Sequence, residues 1–167
     1  MRRLHYHLTT ADGRTINTTP ANSNPVLCDR NTPPPQPGAV LVDPSDGKRY
    51  LLTGSSAEIS RGITHYYSLT LLELKHSINI QRLGSSRIDP EPTSIASDIP
   101  AYLDDFSPID DNSPDRNHTV FRVELRTPPI AGIRKNDRIV MDSRNYRVID
   151  TEPLPHITRI IAVDDYR

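Results

Sequence analysis

Short runs of alternating apolar and polar residues, broken by polar and proline-bearing stretches, make up most of this chain. Leu4-His5-Tyr6-His7-Leu8 alternates, and Asp12-Gly13 follows as a turn, so a strand is predicted over 4–8. A polar stretch runs from Asn17 to Pro25, and Val26-Leu27-Cys28 is a short apolar run. Pro33-Pro34-Pro35-Gln36-Pro37 can only be extended, because each proline fixes φ and disfavours helix in the residue before it. Ala39-Val40-Leu41-Val42 and Arg49-Tyr50-Leu51-Leu52-Thr53 are predicted to pair as strands across the turn Asp43-Pro44-Ser45-Asp46-Gly47. Gly54 to Gly62 is predicted as loop. Between Tyr66 and Leu74 the sets Tyr67/Leu69/Leu71 and Thr70/Leu72/Leu74 fall on two faces, which favours a strand covered on both sides over a helix.

The C-terminal part has the same grammar. Val120 to Leu125 is a predicted strand, ended by Pro128-Pro129. Arg138-Ile139-Val140-Met141 and Tyr146-Arg147-Val148-Ile149 are predicted to pair across Asp142-Ser143-Arg144-Asn145, and Thr158 to Val163 closes the set. Residues 39–53 therefore line up with residues 138–151, allowing for a shorter turn. Two hairpins can share such a pattern by chance, or the chain can hold two related small barrels; the alignment leaves both open. The predicted fold class is mainly β: small antiparallel barrel or sandwich modules, one or two of them, with long loops.

Charge changes the picture by dividing the chain. Residues 1–84 carry a net charge of +3, residues 85–117 carry -6, and residues 118–167 carry +2. The middle stretch also holds Pro90, Pro92, Pro100, Pro108 and Pro114. It reads as an acidic, proline-rich connector between an N-terminal β module (1–84) and C-terminal barrel strands (118–167), whose opening strand begins near residue 99. Loops of this length are uncommon inside compact domains and are often functional or disordered.

Composition then narrows the class. Leu, Ile, Val and Phe make up 40 of the 167 residues, above the roughly 20% below which disorder is the default. A core is possible but thin. Sixteen prolines exclude a helical bundle or coiled coil. No apolar run is long enough for a membrane helix, and Met1 to His7 has no apolar stretch of signal-peptide length. A single cysteine, Cys28, excludes an internal disulfide and a cysteine-based zinc site; its apolar run suggests a buried thiol.

Candidate chemistry is sparse. His5 and His7 share a strand face without a nearby carboxylate, so solvent-facing residues are the better reading than a metal site. Asp110, Asp111 and Asp115 with His118 lack the spacing of a calcium loop. Asp104, Asp105, Asp110 and Asp111 are too closely adjacent to be poised across a sugar cleft. No nucleophile elbow, phosphate loop or dinucleotide fingerprint occurs. Arg134, Lys135, Arg138, Arg144 and Arg147 gather around the last hairpin. A net of +2 is low for a nucleic-acid reader, so pairing with the acidic stretch of a neighbouring subunit is preferred. The chain is expected to be no enzyme, with no cofactor and no metal.

Ile99-Pro100-Ala101-Tyr102-Leu103, Val120 to Leu125, Ile133-Arg134-Lys135-Asn136-Asp137-Arg138-Ile139 and Asn145-Tyr146-Arg147-Val148 together resemble the small β-barrel head-completion, or stopper, proteins of the head-tail connector of tailed bacteriophages. The resemblance covers about 70 residues, and the first 84 depart from a single-barrel pattern. It implies a structural virion protein assembled in the host cytoplasm. That protein forms a homo-oligomeric ring, hexamer or dodecamer, beneath a portal or adaptor ring, closes the DNA-filled capsid and docks the tail. DNA would pass without sequence-specific binding, and no membrane is involved. The loop that narrows the channel in such proteins would here run from Asp104 to Asn117, with Asp104, Asp105, Phe106, Asp110, Asp111 and Asp115 as its residues. Acids there would let DNA pass, since phosphate binding is driven by Lys and Arg. A tail terminator, a baseplate or other virion β-module, and a non-viral binding module are the alternatives.

Overall fold

A computed structural model describes residues 6–84, 91–109 and 119–165. Among them every regular element is a strand. The chain divides into two compact units, Met1–Leu74 and Lys75–Arg167.

The first unit contains β1 (Tyr6–Thr10), β2 (Thr15–Thr18), β3 (Val26–Asp29), β4 (Val40–Val42), β5 (Arg49–Ser60) and β6 (Ile63–Leu74). They close into an antiparallel barrel in the order β1-β2-β3-β6-β5-β4, with Thr9 of β1 opposite Val42 of β4 at the seam. Strand alternation sends Leu8, Ile16, Val26, Cys28, Leu41, Tyr50, Leu52 and Leu69 into its core. The second unit contains β7 (His76–Leu83), β8 (Pro92–Ile109), β9 (Val120–Thr127), β10 (Arg138–Met141), β11 (Arg144–Pro153) and β12 (Thr158–Asp164). It closes in the order β7-β8-β9-β12-β11-β10 around a larger core that includes Ile78, Ile80, Leu125, Ile139, Tyr146 and Ile160.

Numbered from its own first strand, each barrel has the same circular order: first, second, third, sixth, fifth, fourth. The two hairpins aligned in sequence are the fourth and fifth strands of their barrels. Both predicted pairings form, with Val40 opposite Leu51 and Ile139 opposite Tyr146. The internal echo therefore corresponds to a repeat of topology, and the fold is two small antiparallel barrels.

Several expectations are corrected. The first module ends at Leu74, not at residue 84, because His76–Leu83 pairs with β8 and β10 of the second barrel. Its pattern puts Ile78 and Ile80 inside and Asn79 and Gln81 outside. The stretch 85–117 is no simple connector either, since it contains β8, the longest strand. Three prolines fit there because β8 changes partner midway. Residues 92–101 pair with β7, and 102–109 pair with β9. Each half thus keeps one side without a strand partner, where a missing N–H costs no ladder bond. Gly54–Gly62, expected as loop, is the far half of β5 and a two-residue turn. Arg61 and Gly62 have φ of 51° and 75°, the positive values that a tight hairpin turn uses. The last hairpin turn is likewise shorter than 142–145: only Asp142 and Ser143 form it, at φ of 49° and 64°.

Candidate assembly surfaces

β8 and β9 form a ribbon that runs past the barrel. Ala101, Val123 and Leu125 are buried in the barrel core, and the pairs Phe106↔Val123 and Pro108↔Phe121 continue the same sheet outward. Cross-strand partners share a face, so Phe106, Pro108 and Phe121 extend the core's apolar face beyond the core itself. The Phe106 and Phe121 rings stack with centroids 4.8 Å apart and planes 11° apart. Phe106 nevertheless stays 43% exposed and Ile109 36%.

The opposite face of this ribbon is charged and internally paired. The Arg126 guanidinium donates to Asp104 Oδ2 at 2.6 Å. Arg159 donates to Glu124, and also to Glu152 Oε2 at 3.3 Å. Arg122 approaches Glu124 at 3.7 Å. These groups link β8, β9, β12 and β11 across the surface. The Arg159 hydrogen bond, with help from Arg122 and Arg126, holds the Glu124 carboxyl below its ordinary range, and the two carboxylates hold Arg159 above its own.

Of the residues assigned to a channel loop, Asp104, Asp105 and Phe106 lie on β8, a strand rather than a loop. Asp104 is engaged by Arg126, and Asp105 Oδ2 accepts from the Ser107 hydroxyl at 2.8 Å. Asp110, Asp111 and Asp115 lie outside the described residues, as do His5 and His118. The basic set divides in two. Arg138 is paired with Asp165, its Nε 3.3 Å from Oδ2. Arg134, Lys135 and Arg144 are exposed. Arg138 and Arg147 face each other across β10 and β11, and the row continues through Val163 of β12 to Arg122 of β9. Like charges directly opposite are destabilising, and Asp165 offsets that at Arg138.

A buried clamp went unread in the sequence. Asp137 accepts from Arg82 Nε and Nη2, both at 2.8 Å, and from the Arg134 backbone N–H at 2.8 Å. Arg82 also donates to the Gly132 carbonyl at 2.8 Å. The loop before β10 is thereby fastened to β7. Alternation does bury Cys28: its thiol donates to the Thr32 carbonyl at 3.0 Å, and burial pushes its pKa up to about 11. His7 Nδ1 meets Asn17 Oδ1 at 2.9 Å. Among the described residues no three metal-ligating side chains converge.

No family model matches the chain. The search of curated proteins finds no match either. A solved structure of the phage-like element PBSX protein xkdH from Bacillus subtilis is similar at 21% identity, with a TM-score of 0.38 over 54% of this chain and 93% of that one.

Proposed function

We propose that this chain is a non-catalytic structural subunit of a phage particle, and that it works in the neck as one member of a homo-oligomeric ring. The observation that supports this best is the β8–β9 ribbon. It carries Phe106, exposed and stacked on the half-buried Phe121, together with the exposed Ile109. An apolar ribbon end of this kind gains stability when a neighbour covers it, because a lone two-stranded ribbon is marginal in water.

Its charged face fits the same reading. Asp104, Glu124, Arg126 and Arg159 neutralise one another within the chain, so contact there is driven by shape and apolar area rather than by a net field. The sequence that follows Ile109 is acidic. In a ring it would line a path that does not retain DNA. Portal or adaptor and tail proteins would then meet the two ends of the ring.

Sedimentation and negative-stain imaging of the purified chain test this. Rings are expected from the wild type. Phe106→Ser combined with Ile109→Ser should leave the β spectrum unchanged and shift the protein to smaller species. A wild type that stays monomeric at every concentration, or a double variant that assembles normally, contradicts the proposal.

A further inference from the structure

The β1–β2 hairpin is closed on itself by a full ladder and joined to the rest of its barrel by short ones. Tyr6↔Thr18, His7↔Asn17, Leu8↔Ile16 and Thr9↔Thr15 pair its two strands. Its turn is tied by the Gly13 N–H to the Thr10 carbonyl and the Thr10 N–H to the Arg14 carbonyl, both at 2.9 Å. On one side Thr18↔Cys28 is the pair that joins it to β3, and on the other Thr9↔Val42 and Thr10↔Leu41 join it to β4. Side chains add to the first seam: the Asn17 N–H donates to Thr32 Oγ1 at 3.1 Å, and the Arg14 guanidinium to the Pro33 carbonyl. The strands left behind are better connected, with β5 and β6 paired from Arg49↔Leu74 to Ser60↔Ile63 and β3 and β6 from Val26↔Leu69 to Asp29↔Tyr66.

Two further observations fall on the same joint. Thr18 is fully buried, and its Oγ1 has no hydrogen-bond partner among the described residues. A buried polar group left unpaired costs free energy that water returns on opening, so the β3 seam opens more easily than a satisfied one. The linker from β2 to β3, residues 19–25, is Thr-Pro-Ala-Asn-Ser-Asn-Pro. Pro20 biases Thr19 toward an extended backbone, and the turn bond within the linker is the Ser23 N–H to the Pro20 carbonyl at 2.9 Å. Straightened, seven residues reach about 23 Å, which lets the hairpin leave its own barrel without unfolding it.

We propose that the β1–β2 hairpin is exchanged between copies of the chain, the hairpin of one copy closing the first barrel of another. Leu8 and Ile16 face each other across the hairpin and are fully buried, in one core with Cys28 and Leu41. A hairpin that leaves uncovers this apolar face and also the slot between β3 and β4, so neither stays empty in water. The occupant that fits the slot is the one seated there, a hairpin of this sequence. Exchange remakes every contact of the hairpin with β3 and β4, and only the linker differs between the two arrangements. A hairpin on its own short linker competes at an effective concentration of about millimolar, so exchange grows as chains are brought together. It joins chains whatever larger body they enter, so it does not rest on the function proposed above.

Cysteines placed across the β1–β4 seam test this. Thr9 and Val42 lie opposite each other on the outer face of the barrel, since their neighbours Leu8, Thr10 and Leu41 are buried. Directly opposite residues have Cα atoms about 4.5–5.5 Å apart, within disulfide reach, and Cys28 is buried. Thr9→Cys and Val42→Cys are made as separate full-length variants and co-expressed, so that the two cysteines meet where one copy's hairpin sits in the other's barrel. Mild oxidation is expected to give a disulfide-linked species containing one copy of each variant, while each variant expressed alone stays unlinked. A chain carrying both substitutions gives a second reading: equilibrated dilute and then oxidised it should bridge within the chain, and equilibrated concentrated it should bridge between chains. Pro20→Ala, an exposed change, should lower the share of bridges between chains, because the linker alone distinguishes the two arrangements. Mixed product no greater than in the single variants overturns the proposal, as do bridges confined within chains at every concentration. Rings that form without mixed disulfides would remove the exchange and leave the ring.

Discussion

At the scale of single residues, burial and partner choice decide what each ionisable group can do. Cys28 is the chain's one thiol, and its pKa of about 11 keeps it protonated at neutral pH. The thiolate is the reactive form, so iodoacetamide at pH 8 should leave native Cys28 unlabelled and modify it rapidly in denaturant; rapid labelling of the folded protein would contradict the burial. Glu124 is shifted the other way, its carboxyl held low by Arg159. A depressed carboxyl adds stability that is fully present above the ordinary carboxylate range and is lost as pH falls through the lowered value. Glu124→Gln should therefore lower the thermal midpoint at pH 7, and the gap from wild type should close as the buffer is taken below pH 4. A gap independent of pH would mean that packing, not charge, is what the substitution removes. Asp137 belongs to the same scale. Its partner Arg82 lies 55 residues away in sequence, so no local spacing could reveal the pair. Asp137→Ala removes the acceptor of the Arg134 N–H and leaves the Arg82 guanidinium with only the Gly132 carbonyl. It should lower the urea midpoint more than removal of an exposed acid such as Asp46, because loss of a buried acceptor also strands its donors.

At the scale of elements, turn chemistry was the legible part and strand length the hidden one. Both aligned hairpins could be read because their turns carry Asp and Gly or Asp and Ser between β-prone runs. The 142–143 turn adds a test. Asp142 and Ser143 both adopt positive φ, which costs an ordinary L-residue roughly 1 kcal/mol. Ser143→Gly should relieve part of this and raise the urea midpoint by the equivalent of about 0.5–1 kcal/mol, with Asp142 kept so that its contact to His76 Nδ1 at 2.9 Å survives. What the pattern concealed were strands with one partner per segment. The far half of β5 is polar because little covers it, and β8 tolerates Pro100 because each of its halves pairs on one side. Both look like loop when every strand is expected to alternate and to exclude proline. The candidate surfaces were hidden for the same reason. Phe106 and the acids near it were noticed, but as parts of a loop, and the phenylalanine stack needs the β8–β9 register to become visible.

At the scale of the whole molecule, one barrel topology occurs twice with unequal cores. The second barrel buries eleven hydrophobic residues in its cluster, including Tyr146, four isoleucines and Leu125. The first cluster holds eight, one of them Cys28, with Leu51 and Leu74 buried outside it. Apolar burial contributes roughly 25 cal/mol per Å², while the entropy cost of ordering grows with every residue in the unit. The smaller cluster therefore leaves the first barrel nearer its limit, and small barrels have little stability to lose. Each barrel also closes its own hydrogen-bond circuit, so neither needs the other's strands to complete its ladder. Unfolding in urea is accordingly expected in two steps, with the first barrel opening at the lower concentration. The single thiol makes the order measurable, because Cys28 reports on the first barrel alone. Pulsed labelling of Cys28 should reach half-completion at a urea concentration where the amides of β9 and β12, which pair along residues 122–127 and 158–163, still resist hydrogen exchange. Coincident midpoints for thiol labelling and β9–β12 exchange would show a single cooperative unit, and protection lost first in the second barrel would reverse the inferred ranking of the two cores.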